Sequence, residues 1–112
     1  MRPDEVERMN LALAGMAVVA NDRHDKALIA WARENGLAVR IDRKTRFGNP
    51  FPMRSEDERD EVCKAYRGHL EARPDLVAGA GELAGKVLIC WCHPLRCHGD
   101  QLAELANGGD AC

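Results

Sequence analysis

At 112 residues the chain is long enough for one domain with a modest core. Its 46% hydrophobic and 30% charged residues suit a soluble globular protein, and no apolar run approaches a membrane span. A net charge of −2 excludes a protein that binds nucleic acid through the charge of its whole surface.

Pro3 followed by Asp-Glu-Val-Glu-Arg reads as a helix start, with acids favourable at its N-terminus, and the helix can end at Gly15. Met16 to Ala20 is a short apolar run that fits a buried strand or a continuation of the helix. Acids at Asp4, Glu5 and Glu7 precede the apolar stretch, and Asn21-Asp-Arg-His-Asp follows it. That makes a poor signal peptide, so the expected compartment is the cytoplasm. From Asp25 to Asn35 the pattern is helical, with Ala27, Leu28, Trp31 and Ala32 on one face and Gly36 as the stop. Leu37 to Ile41 reads as a strand. Asp42 to Met53 reads as a loop, because Gly48, Asn49, Pro50 and Pro52 break regular structure.

Ser55 and Glu58 match a capping box, which predicts a helix running toward Ala72 with Val62, Cys63, Tyr66 and Leu70 inward. Pro74 opens a segment whose helicity the pattern leaves undecided. Lys86 to Trp91 is the clearest strand. Its consecutive Val87, Leu88 and Ile89 suggest a central strand covered on both faces. Gly99 to Asn107 is the last predicted helix, and residues 108–112 read as a frayed tail. Strands separated by helices predict a small single-domain α/β fold, with a mainly parallel sheet of about three strands flanked by helices. Residues 37–107 form its core. Residues 1–36 are either a helical extension or a first βα unit packed on that core.

Ligands of such sheets bind beyond the carboxyl ends of the strands. The loops at 42–53 and 92–98 both follow strands and should share one edge. The first belongs to a basic cluster of Arg40, Arg43, Lys44, Arg46 and Arg54 against Asp42, whereas residues 56–61 hold five acids and one arginine. Both runs also fit a plain solvated surface. The second loop belongs to Leu88–Asp100, which packs three of the five cysteines, two of the four histidines and an aspartate into one short segment. An odd cysteine count, crowded in this way, argues against a disulfide framework and for thiols or metal ligands in a reducing compartment. Cys63 reads as a buried helix residue and Cys112 as terminal and inert.

Ile41-x-Arg43, the turn Phe47-Gly48-Asn49-Pro50-Phe51, and the segment Cys90-Trp91-Cys92-x-Pro94-x-x-Cys97-His98-Gly99-Asp100 together resemble the bacterial and phage family catalogued as domain of unknown function 4326. The resemblance spans about 37–107. It differs in Asp42, where the family usually has glycine, and in Phe47, where it usually has tryptophan. Asp42 brings an acid into the basic loop. The resemblance implies motif positions and no chemistry.

Three chemistries fit these residues. Cys90, Cys92, Cys97 and His98 are acceptable zinc ligands, with Cys63 or His69 able to complete a set, although the spacing lacks the usual C-x2-C knuckle. Cys97, at the start of the last helix beside Arg96, suits a thiolate nucleophile, with His98 as base and Asp100 orienting it or capping the helix. The third chemistry is anion binding by helix amides near Gly99 and by Arg43. Asn49 would hydrogen-bond the ligand, Phe47 and Trp91 would stack on a base, and Gly48 would let backbone approach closely. Each residue also has a plain structural reading: Cys90, Cys92 and Trp91 as core, Asp100 as a cap, Gly48 and Gly99 as relief of backbone strain, His24 and His69 as surface. The favoured expectation is an anionic, nucleotide-like ligand, bound or processed between the two loops by Arg43, Asn49, His98 and Asp100. A zinc-stabilised interaction module is the alternative, and an accessory protein associated with nucleic acid is the third reading. No membrane partner is expected.

Overall fold

The structure, a computed structural model, describes residues 1–42, 45–51, 54–91 and 98–108. Three short strands, β1 (Val18–Asn21), β2 (Ala38–Arg40) and β3 (Val87–Cys90), form a parallel sheet in the order β1-β3-β2. Val18 pairs with Val87 on one side and Ala38 pairs with Val87 on the other. The central strand is last in the chain, and all four of its residues are buried.

Five helices cover the sheet: α1 (Pro3–Leu13), α2 (Lys26–Glu34), α3 (Arg59–Glu71), α4 (Pro74–Gly81) and α5 (His98–Ala106). Successive strand residues point to opposite faces. Val18, Ala20, Val87 and Ile89 therefore pack with Ala12, Leu28, Ile29 and Ala32 of α1 and α2. Val19, Leu88 and Cys90 pack on the other face with Tyr66, Leu70, Leu76, Ala80 and Leu102 of α3, α4 and α5. The result is a three-layer α/β/α arrangement around two apolar clusters.

Several sequence expectations change in detail. The Met16–Ala20 run forms a strand shifted to Val18–Asn21. The first helix stops at Leu13, and Gly15 takes φ +95° after it, a conformation that glycine adopts without strain. On α2 the buried positions are Leu28, Ile29 and Ala32, whereas Ala27 is exposed. Ser55 starts a 3-10 turn at Glu56–Glu58, and the α-helix follows from Arg59. The Glu58 carboxylate accepts the Arg54 amide at 3.1 Å and not that of Ser55. The segment after Pro74 is helical. Residues 1–36 supply a strand of the sheet and two of its covering helices, which makes them a built-in βα unit with a preceding helix.

The inward face of α1 is polar. Glu5, Arg8 and Ala12 are buried, while Leu11 and Leu13 are exposed. The Arg8 guanidinium donates to both carboxylate oxygens of Asp25, at 2.9 and 3.0 Å, and to the Val19 carbonyl at 2.8 Å. Arg2 also donates to Asp25. Asp25 further accepts the Asn21 amide at 2.7 Å. Glu5 accepts the Leu28 amide at 2.9 Å, capping the first turn of α2 from another helix. Burial pushes the Asp25 carboxyl up. The Arg8 hydrogen bonds, the Asn21 amide and the charges of Arg8 and Arg2 outweigh it, and hold the pKa at about 2 against an ordinary 3.8.

A carboxyl lowered by folding stabilises the fold above its unfolded pKa, and that contribution is lost as pH falls through the folded value. Asp25 should thus contribute about 2 kcal/mol at neutral pH, lost between pH of about 4 and 2. Asp25→Asn removes the buried counter-charge of Arg8 and leaves it only the exposed Asp4, 2.9 Å away, and should cost about 3 kcal/mol at pH 7. Its stability should also fall less steeply across that acid window. Denaturant melts of both proteins from pH 7 to 2 check this, and equal acid slopes would contradict it.

Candidate functional site

Because the strands are parallel, the residues that leave β1, β2 and β3 gather at one edge of the sheet. Helix α2, after β1, covers one face, and α5, after β3, packs on the other. The helices after the neighbouring strands β1 and β3 thus lie on opposite faces, the arrangement in which open α/β sheets take ligands at the carboxyl ends of their strands.

Asn21, the last residue of β1, organises this edge. Its side chain is buried. The carboxamide oxygen accepts the amides of Arg23 at 2.8 Å and His24 at 3.2 Å, and Nδ2 donates to the Trp91 carbonyl at 3.1 Å. The Asp22 amide donates to the Cys90 carbonyl at 2.8 Å. The end of β1 is therefore tied to the end of β3 twice, by the Asn21 side chain to Trp91 and by the Asp22 backbone to Cys90.

Trp91 lies just past the buried run of β3, and its side chain emerges to solvent with 51% exposure. The Arg23 guanidinium lies 5.4 Å from its ring centre and that of Arg40 lies 5.9 Å away, within cation–π range. The two arginines differ in their surroundings. Arg40 donates to Asp22 at 3.2 Å and to Asp42 at 3.0 Å, and these carboxylates raise its pKa, the Asp42 hydrogen bond most. Arg23 has no carboxylate partner among the described residues.

On the β2 side, His98 lies against the residue that follows β2. His98 Nε2 is 2.5 Å from the Ile41 carbonyl, and its ring packs edge-on against Tyr66 at 5.1 Å. The Tyr66 hydroxyl donates to the Phe47 carbonyl at 2.5 Å. His98 and the Phe47–Phe51 turn thus share one end of the sheet, linked through Tyr66. A carbonyl can only accept, so His98 donates from Nε2.

Other expectations are corrected here. The Phe47 side chain is a core residue, 4% exposed, with the Arg46 guanidinium 4.7 Å above its ring, so among the predicted stacking residues Trp91 alone presents an open ring. Asn49 Oδ1 accepts the Phe51 amide at 2.9 Å and so shapes the turn itself. Arg46 leans toward Gly79 of α4 and lies 3.8 Å from Glu82, away from Trp91. Asp100 does not orient His98. Two residues apart on a helix, their side chains diverge by roughly 200°. Asp100 instead lines a groove of about 500 Å³ along β1 with Arg8, Val19, Gln101, Glu104 and Asn107. Gly48 is half-buried, and Gly99 is buried in the first turn of α5.

Cys90 is buried in the core beneath Trp91, as a small apolar residue would be. Arg43, Cys92 and Cys97 lie outside the described residues. Of the four predicted zinc ligands, Cys90 and His98 are described, and no group of three metal-ligating side chains occurs among the described residues. Asn21, Asp22 and Arg23 were not among the sequence candidates. Their signal is a polar run, Asn-Asp-Arg-His-Asp, placed directly after an apolar strand.

A three-layer α/β domain with an aromatic and guanidinium surface at the carboxyl edge of a parallel sheet is the class that fold and site define. The profile of the family described as Domain of unknown function (DUF4326) matches residues 22–108, and the chain belongs to that family. The match begins upstream of the motifs and takes in Asp22, Arg23 and α2. No curated protein and no solved structure matches the chain.

The Tyr66 hydroxyl is a deeply placed tie between α3 and the Phe47 turn. Tyr66→Phe leaves the Phe47 carbonyl without that donor and should cost about 1–2 kcal/mol. Urea unfolding checks this: the midpoint should drop with an unchanged slope. An unchanged midpoint would show that the hydroxyl contributes nothing.

Proposed function

We propose that the carboxyl edge of the sheet binds a nucleotide-like ligand whose base stacks on Trp91. The observation that carries this reading is the half-exposed Trp91 ring at the end of the central strand, attended by Arg23 and Arg40. Aromatic side chains accept any base by its π-face, and guanidiniums add charge and planar hydrogen bonding. An aromatic ring left half in water at a strand terminus adds less to the fold than a buried one, and the carboxyl ends of such strands are where sheets of this kind take ligands. Compared with the sequence expectation, the ligand shifts from the Phe47 turn toward the β1 side of the same edge. His98, whose Nε2 donates to the Ile41 carbonyl, is a further polar side chain on the β2 side of the same edge. An odd number of cysteines crowded into one segment suits action in a reducing cytoplasm. Among the described residues no helix is long and apolar enough to cross a membrane.

The chain has two tryptophans, so Trp31→Phe makes Trp91 the sole strong fluorophore. Titrating this variant with the monophosphates of the four common nucleosides should give saturable quenching for at least one of them. By calorimetry, Trp91→Ala in the parent background should weaken that binding about tenfold or more. Binding that survives Trp91→Ala unchanged, or a parent that binds none of the four, overturns the proposal.

A further inference from the structure

The charges around Trp91 narrow the class of ligand. Resting on the reading of Trp91 as a base-stacking surface, we infer that this edge selects a nucleoside carrying a single phosphate, which Arg23 binds while Asp22 receives the sugar. Among the described residues four charged side chains meet here: Arg23, Arg40, Asp22 and Asp42. Two carboxylates hold Arg40, at 3.2 and 3.0 Å. Its charge is compensated and its guanidinium is fixed in place beside the ring. An anion approaching Arg40 also meets Asp22 and Asp42, which repel it.

Arg23 is exposed and has no ion pair among the described residues. Its contact is with the Trp91 ring. A base stacking on that ring competes with Arg23 for the aromatic face. Arg40, tethered twice, stays, and Arg23 is the group released. Its guanidinium then meets the ligand's own phosphate, which it can bind through two parallel N–H donors. Among the described residues Arg23 is the one guanidinium at this edge without a carboxylate partner, and one guanidinium suits one phosphate. A polyphosphate would bring further negative charge next to Asp22 and Asp42. Asn21 makes the exchange local, because its carboxamide oxygen fixes the Arg23 backbone and its amide fixes that of Trp91.

Asp22 supplies the other polar contact. One carboxylate oxygen, Oδ1, accepts from Arg40, and the side chain is 22% exposed, so a face of the carboxylate remains in reach of solvent. A carboxylate only accepts hydrogen bonds, and it therefore complements the donor hydroxyls of a ribose and not a phosphate. The surface thus offers a stacking ring for the base, an acceptor for the sugar and a guanidinium for one phosphate.

Calorimetric titration of the full chain with AMP, adenosine, ATP and inorganic phosphate tests this, with the GMP, CMP or UMP series substituted if one of those binds better. The expected order is AMP tighter than adenosine by about tenfold, ATP no tighter than AMP, and no measurable binding of phosphate alone. Arg23→Ala should abolish the preference for AMP over adenosine, and adenosine itself should bind no more weakly, since its competitor for the ring is gone. Arg23→Lys should restore part of the difference. Asp22→Asn should weaken AMP and 2′-deoxy-AMP unequally, so that the ribose preference is lost. Circular dichroism confirms that each variant is folded, and Arg23, being exposed, is a mild change. If the nucleoside and its monophosphate bind equally, or Arg23→Ala leaves their ratio intact, the phosphate assignment fails while stacking on Trp91 stands. A triphosphate that binds tenfold tighter than the monophosphate also overturns it. If no nucleoside or nucleotide binds, the stacking reading itself has failed and this inference goes with it.

Discussion

The carboxylate of Asp25 holds together the part of the molecule on which the rest depends. It is buried, it neutralises Arg8, and it receives the backbone amide of Asn21. The Asp25 amide in turn donates to the Asn21 carbonyl at 3.0 Å, so residues 21–25 close into a tight turn bonded at both ends. Breaking such a buried pair leaves each charge only a more exposed partner, Asp4 for Arg8 and Arg2 for Asp25. Three elements converge on it: α1 through Arg8, β1 through Asn21, and α2, which starts at the next residue. The turn that it closes is the one that carries Arg23 to the edge of Trp91. The geometry of the proposed site therefore begins with a charge that never touches a ligand.

The apolar elements were legible because their chemistry repeats with the period of the structure. Val87, Leu88 and Ile89 in succession could only be covered on both faces, and β3 is central. Tyr66 and Leu70 lie one turn apart and are both fully buried. Helix α1 was legible from Pro3 and its acids, yet its orientation was not. The face it turns inward carries Glu5 and Arg8, and an apolar pattern cannot reveal a buried face that is charged. The same reasoning explains why the role of residues 1–36 stayed open: their docking is made by ion pairs and a borrowed helix cap, not by a stripe of leucines.

The site was legible by its edge and less so by its residues. Parallel strands put the Phe47 turn and the start of α5 on one end of the sheet, as the α/β pattern implies. What spacing could not show was direction. Phe47 and Trp91 are both aromatic residues in loops, but one points into the core and the other into water, because each obeys the alternation of the strand or turn before it. His98 and Asp100 are close in sequence and face apart, since a helix turns them away from each other. Asn21 was hidden for another reason. A single buried amide that links two loops leaves no periodic trace, and its partners lie as far off as Trp91.

The strand order has a consequence for how the protein is made. β1 and β2 flank β3 and do not pair with each other, so no sheet can exist until residues 87–90 have left the ribosome. The outer edge of β1 closes later still. The Asn107 side chain accepts the Ala17 amide at 2.7 Å and donates to the Ala17 carbonyl at 3.1 Å, which imitates a neighbouring strand. A nascent chain that has passed α4 thus carries two strands with bare edges and four helices with nothing to cover. Exposed strand edges are the features that aggregation exploits. Synthesis stalled at that point would yield a chain recognised by chaperones, and the addition of roughly two dozen residues, which supply a central strand, a helix and one asparagine, is what converts it into a domain.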